Sequence, residues 1–384
     1  MKECASLLQK LIQYPTITPK ECGIYELIQS YLNDFEFIHI SDHGVQNLFA
    51  YKKGALDKHF CFMGHIDVVP PGEGWSVEAF SGLIQDGYIY GRGAQDMKSG
   101  VSAFVCALKD FLAQSKAQSL PLPTLSILLT SDEEGAGIYG TRIVLERLSE
   151  RCLLPDMALV AEPTCVQNLG DMIKIGRRGS INGVLKILGK QGHVAYPQKC
   201  INPTEALGGV LGEIAGVKLD SGDENFAPSK IVITDMRGGM EVVNVTPNEL
   251  KIMFNIRNSP NTTLENVEHY FAGVIDKIKR NEPKIVCELT LNQSSKPFLT
   301  QRQSPLIQAL SQSIQNICGT IPTLSTSGGT SDARFCAGYN IAVAEFGVCN
   351  DRIHSIDERV KIKEVEGLYE VFMELLRQLS AKYR

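Results

Sequence analysis

The sequence predicts an α/β protein: a discontinuous catalytic domain with a mostly parallel, twisted sheet, interrupted by an inserted ferredoxin-like α+β domain. Three observations lead there. The 384 residues are too many for one typical core and suit about two domains. Short apolar runs alternate with helical periodicity in the first and last parts of the chain, the pattern of strands joined by crossover helices. Between them, one stretch runs strand, helix, strand, strand, helix, strand, the order of a ferredoxin-like unit.

The elements follow in order. Cys4, Leu7, Leu8, Leu11 and Ile12 fall on one helical face, so the N-terminus reads as an amphipathic first helix rather than a signal peptide. The runs 59–63, 125–129 and 157–161 are apolar and bounded by turn residues, as buried strands are; 99–112 and 138–148 read as helices. The stretch 115–123 (SKAQSLPLP) is a polar, proline-marked loop. Strands are expected at 181–188, 229–234, 250–256 and 285–291, with helices near 204–214 and at 264–279. Helical character returns at 304–317, a strand at 341–346, and an amphipathic helix at 362–379 closes the chain. Residues 1–178 and 294–384 are thus expected to form the catalytic domain and 179–293 the inserted one.

Composition narrows the function. Hydrophobic residues make up 43% and charged residues 21%, as in an ordinary globular protein. A formal net charge of -5 gives no basic footprint for nucleic acid or an anionic membrane surface. No apolar run is long enough to span a bilayer. The 11 cysteines are odd in number and irregularly spaced, with no C-x-x-C pair. They read as reduced thiols of a cytoplasmic protein rather than a disulfide framework or a thiolate zinc site.

Chemistry gathers in five strings: GHID (64–67), GRGAQDMK (91–98), SDEEG (131–135), AEP (161–163) and IHSIDE (353–358). They carry His65, Asp96, Glu134, Glu162 and His354, each just after a strand-like run or in a glycine-rich turn. Singly, each is weak; a lone histidine after a strand is more often structural. Together they suit the carboxyl edge of an open α/β sheet, where such folds place their sites. Imidazole nitrogen and carboxylate oxygen suit zinc. Two zinc ions need one bridging carboxylate and, for each ion, one histidine and one further carboxylate. That assigns Asp96 as the bridge, His65 with Glu162 to one ion, and Glu134 with His354 to the other. Three carboxylates and a bridging hydroxide cancel four positive charges, avoiding an uncompensated buried charge. Glu133 is left over and suits a general base for the shared water. Asp67, two residues beyond His65, is placed to accept the other imidazole N–H.

At these strings the chain resembles the M20 family of dinuclear zinc peptidases and deacylases, over essentially its whole length. The resemblance implies two zinc ions per subunit, with cobalt able to occupy one site, and a cis bond at Asp96–Met97. It assigns Asp96 the bridging role, Glu133 that of general base, and His65, Glu134, Glu162 and His354 those of the remaining ligands. It also implies that the inserted domain mediates a homodimer.

GRRGS (176–180), GGTSDARF (328–335) and FGVCNDRIH (346–354) look like the desuccinylase branch of the family rather than acetylornithine deacetylases or dipeptidases. The substrate implied is a small acylated amino acid, N-succinyl-LL-2,6-diaminopimelate. A succinyl group differs from an acetyl group by a terminal carboxylate, which Arg178 and Arg257 can grip bidentately. Thr330 and Asn350 can add donors, beside the backbone of Gly328 and Gly329. By the same resemblance, His193 and Asn244 reach the partner subunit's site and stabilise the oxyanion. Cys349, Asp351 and Arg352 depart from the family pattern close to His354.

Overall fold

Continuous burial on both faces marks the central strands. In the computed structural model, which describes residues 1–383, eight strands form one sheet: β1 (Glu36–Asp42), β2 (Val45–Lys52), β3 (Leu56–His65), β4 (Pro123–Thr130), β5 (Met157–Val160), β6 (Met172–Lys174), β7 (Thr323–Ser325) and β8 (Ala342–Glu345). Their spatial order is β1-β2-β4-β3-β5-β8-β6-β7. The four middle strands β4, β3, β5 and β8 run parallel. All of β5 and nearly all of β4 are buried, as expected for a parallel sheet covered on both faces by helices.

Helix Lys98–Ala117 follows the Asp96 turn and is buried along most of its length. It packs with helices Glu3–Ile12 and Ile362–Lys382. Phe62 of β3 stacks on Phe104 of the first at 4.9 Å and meets Phe372 of the last at 5.2 Å. These rings bury large apolar areas and lock both helices to the centre of the sheet.

Local structure differs from the sequence expectation at two places along the chain. The hairpin β1–β2 went unforeseen. It turns through His43 and Gly44, both at positive φ, the conformation of a two-residue type I′ turn. The helix expected near 204–214 is broken: Pro203–Leu207 is helical, and a separate 3₁₀ turn covers Leu211–Glu213. Gly208 leaves the helical region and Gly209 takes a φ of +77°, ending the first segment as glycine commonly does.

The chain folds as two compact units. Residues 1–176, 299–325 and 331–383 form the first, and 177–298 with 326–330 the second; the second unit thus starts two residues earlier and ends five later than the expected 179–293, and it also takes in 326–330, expected in the catalytic part. The second unit holds an antiparallel sheet of four strands in the order Lys230–Gly238, Glu249–Arg257, Ser180–Leu188, Val286–Ser295. With helices Pro203–Leu207 and Leu264–Asn281, this is a ferredoxin-like arrangement. Val267, Phe271, Val274 and Ile278 make one buried stripe on the long helix. Phe271 stacks on Phe254 of the sheet at 4.6 Å.

His59 of β3 is buried and shares a 2.7 Å hydrogen bond between its Nε2 and Ser126 Oγ of β4. Burial lowers its pKa from 6.5 to about 4. The folded state therefore binds fewer protons here than the unfolded state between those values. Its contribution is complete above pH 6.5 and is lost as pH falls towards 4, up to about 3 kcal/mol. Denaturant titrations of His59→Gln and the parent at pH 7 and pH 4.5 should show a shallower loss for the variant. Equal losses would exclude His59 as the source.

Candidate metal centre

Each candidate ligand sits where a buried element stops. His65 is the last residue of β3, Glu133 and Glu134 lie in the turn after β4, Glu162 follows β5, and His354 lies in the loop after β8. The four strands are neighbours, so their carboxyl ends deliver these side chains to one place. Asp96 arrives differently, from the turn that starts helix Lys98–Ala117, with a cis bond to Met97. That turn needs its glycines. Gly93 has a φ of +84°, and a Cβ there would lie 2.6 Å from Val68, so a larger residue would displace the turn.

The resulting geometry has two lobes that share one carboxylate. Asp96 Oδ1 lies 3.1 Å from His65 Nε2, and its Oδ2 lies 3.5 Å from His354 Nε2. Glu162 Oε1 is 3.8 Å from His65 Nε2, and Glu134 Oε1 is 2.9 Å from His354 Nε2. The ligand atoms of His65, Asp96 and Glu162 lie within 4.8 Å of one another, as do those of Asp96, Glu134 and His354. His65 is buried, whereas His354 is exposed and held at a φ of +58°, a conformation uncommon for a non-glycine residue. Glu133 Oε2 stands 4.0 Å from His65 Nε2.

The charges show what this set of side chains needs. Burial, reinforced by the neighbouring acids, pushes Glu133 and Glu162 well above the usual carboxylate range. Burial also works against ionised Asp96, but its hydrogen bonds with His354 and His65 outweigh that and hold it well below the range. Burial opposes charging of His65, yet Asp96, Glu162 and Glu133 raise its pKa well above the ordinary value. Hydrogen bonds to Asp96 and Glu134 lift His354 to about 10. Four acids crowded out of water thus draw positive charge towards them. Imidazole nitrogen and carboxylate oxygen form a donor set that fits zinc or a similar divalent cation.

Asp67 has a different place from the one expected. His65 Nδ1 lies 2.9 Å from the Asp67 backbone carbonyl, while the Asp67 carboxylate is 3.7 Å away. The reason is that β3 ends at His65, so strand alternation no longer aims the side chain. The carboxylate instead accepts the backbone N–H groups of Glu133 at 3.3 Å and Glu134 at 3.1 Å. Burial raises its pKa to about 6.

The remaining candidates divide between the units. Asn350 lies in the first unit, and its backbone N–H bonds to the Cys165 carbonyl. Arg178, His193, Asn244, Arg257, Gly328, Gly329 and Thr330 lie in the second. Within it, the Arg178 pKa is lowered by burial and by the charge of Arg257, so these guanidinium groups form a local excess of positive charge. His193 and Asn244 are exposed and adjoin through a Val194 N–H bond to the Asn244 carbonyl. Gly328 packs over Arg177, whose Nη1 donates to the Ser327 carbonyl at 2.9 Å.

Sequence reasoning missed three residues beside the ligands: Arg92, Gln95 and Glu358, all buried. Each lies inside one of the five strings, yet a charged or amide side chain in a polar loop reads as solvated. Asp332 was missed as well. Both its carboxylate oxygens are buried without a hydrogen-bond partner, and its charge adds to the rise at Glu133. Among the described residues, all cysteines are free, and no helix is long and apolar enough to cross a membrane.

Known proteins resemble this chain in sequence or in fold. A succinyl-diaminopimelate desuccinylase from Helicobacter hepaticus is 55% identical over 386 aligned positions, covering 97% of this chain and 96% of that protein. The solved structure of aminopeptidase PepT from Bacillus cereus matches with a TM-score of 0.79 at 19% identity, covering 98% of each chain. The Bacillus subtilis YXEP protein, described as a dinuclear metal binding peptidase, matches with a TM-score of 0.72 at 14% identity, covering 99% of this chain and 98% of that one. The model of peptidase family M20/M25/M40 matches residues 61–378, and the chain belongs to that family.

Proposed function

We propose that this hydrolase cleaves the amide bond of N-succinyl-LL-2,6-diaminopimelate, releasing succinate and LL-2,6-diaminopimelate, in the cytoplasm and in the service of lysine and cell-wall precursor synthesis. For the chemistry, the observation that carries the reading is Asp96 between two histidine–carboxylate groups, with Glu133 beside them. For the substrate, it is the desuccinylase relative at 55% identity over nearly the whole chain.

His65 with Glu162 would hold one zinc ion, Glu134 with His354 the other, and Asp96 both; cobalt could replace one of them. Bound there, the cations supply Lewis-acid polarisation of the amide carbonyl and lower the pKa of an attacking water towards about 7. Glu133 is the general base. It takes a proton from the water as oxygen adds to the carbonyl carbon, then delivers that proton to the amine nitrogen as the C–N bond breaks. The Asp67 carboxylate fixes the backbone of Glu133 and Glu134, so the base and its neighbouring ligand move as one.

Arg178 and Arg257 bind the free carboxylate of the succinyl group, and their mutual repulsion is relieved when an anion arrives. Thr330, Asn350 and the backbone of Gly328 and Gly329 add donors to the substrate. The protein acts as a homodimer, with His193 and Asn244 serving the oxyanion in the site of a second copy.

The test is turnover by zinc-loaded protein of the succinylated diamino acid beside N-acetylornithine in one assay. Preference for the acetyl compound would replace this reading with an acetylornithine deacetylase. Arg178→Gln should raise KM for the succinyl substrate by about 30- to 150-fold, the equivalent of losing a charged contact of about 2–3 kcal/mol. The acetyl compound should be little affected. An unchanged succinyl KM would remove Arg178 from the carboxylate pocket.

A further inference from the structure

Two ligand-bearing segments, the 91–96 turn and the 350–358 loop, are fastened together by groups outside the ligand set. Glu358 is completely buried. Its Oε1 accepts the backbone N–H of Gln95 at 2.8 Å and of Asp96 at 3.2 Å. Its Oε2 accepts that of Gly93 at 3.1 Å and the Nη1 of Arg92 at 2.7 Å. Arg92 then reaches back, its Nη2 donating to the carbonyl oxygens of Pro71 at 3.1 Å and His354 at 3.4 Å. Gln95 adds a second tie. Its Nε2 donates to Asp351 Oδ1 at 2.7 Å, and its Oε1 accepts the Arg352 N–H at 2.9 Å.

We infer that Glu358 is a positioning residue of the metal centre: by holding the backbone of Asp96 it sets where the shared carboxylate lies, and through Arg92 and Gln95 it couples Asp96 to His354. The inference rests on the dinuclear reading of the site. Its physical basis is the acceptor count. A carboxylate can receive several donors at once, and charge-assisted bonds of this kind are the strong ones. An amide at position 358 has one acceptor oxygen and turns an NH₂ group towards other N–H donors. The turn must then shift or leave buried donors unpaired. Asp351 also gains a role here: it anchors Gln95 from the loop that carries His354.

The experiment strips the full-length protein of metal and titrates Zn²⁺ against a chromogenic chelator, for the parent, Glu358→Gln and Asp351→Ala. Outer partners of ligands typically change metal affinity 10- to 100-fold, and Glu358→Gln should show a loss of about that size. Its kcat should fall and recover as free zinc is raised, with KM unchanged. Asp351 is exposed, so Asp351→Ala should keep the parent's melting temperature while binding at least one zinc about 10-fold more weakly. A folded Glu358→Gln with parental zinc affinity and kcat would overturn the inference. If that variant does not fold, parental zinc affinity in Asp351→Ala would overturn it. A parent that binds no zinc fails the dinuclear reading instead, so the two failures are told apart.

Discussion

Glu133→Gln should lower kcat by about 10²- to 10⁴-fold, the usual contribution of a positioned general base, while two zinc ions remain bound and KM changes little. In barrier terms this is about 3–5 kcal/mol. The substitution keeps the shape of the side chain and removes only its ability to carry a proton. The surrounding turn should survive, because the Asp67 carboxylate holds it through the backbone N–H groups of residues 133 and 134, which the variant retains. Steady-state kinetics paired with metal analysis of the same sample checks both halves. Full turnover with both metals in place would mean that another group takes the proton, and Asp332 would be the next acid to examine, since its charge is felt at Glu133.

Asp96→Asn should be more severe, with a loss of activity of about 10³-fold or more and zinc content falling below two per chain. Asp96 faces both histidines, at 3.1 Å and 3.5 Å, so a neutral amide there weakens both lobes at once. Glu134→Gln or Glu162→Gln removes a carboxylate from one lobe only and should leave at least one zinc bound. Treating the parent with a chelator should abolish activity, and added zinc should restore it. An Asp96→Asn protein that kept two zinc ions and parental kcat would exclude Asp96 as the shared ligand.

The fold was legible where burial is continuous. The apolar runs that became β3, β4, β5 and β8 announced themselves because a parallel strand covered on both faces carries few polar residues. Strand β1 has one buried residue in seven, so its sequence EFIHISD carries little pattern, and its hairpin turn is marked only by His43-Gly44. The helix expected across 204–214 failed at Gly208-Gly209, where backbone freedom overrides the flanking helical spacing.

In the site, His65, Glu134 and Glu162 were readable because each ends or follows a buried strand. Asp67 was half readable: its nearness to His65 was clear, but its carboxylate turns to the backbone of Glu133 and Glu134 because the strand stops two residues short of it. Glu358 was not readable as a partner of Asp96. The two are 262 positions apart, and nothing in IHSIDE distinguishes a glutamate that will be completely buried from one in water.

The sequence by itself determined the parallel sheet and the ferredoxin-like insertion, along with the place of His65, Glu134 and Glu162 at or just after strand ends. These follow from periodicity and burial, which are properties of neighbouring residues. Only the tertiary structure decided that Asp96 faces both histidines, that the Asp67 carbonyl rather than its carboxylate meets His65, and that Glu358 ties the Asp96 turn to the His354 loop. Such distances, between atoms far apart in the chain, are fixed by how the strands and helices pack, and no local pattern encodes them.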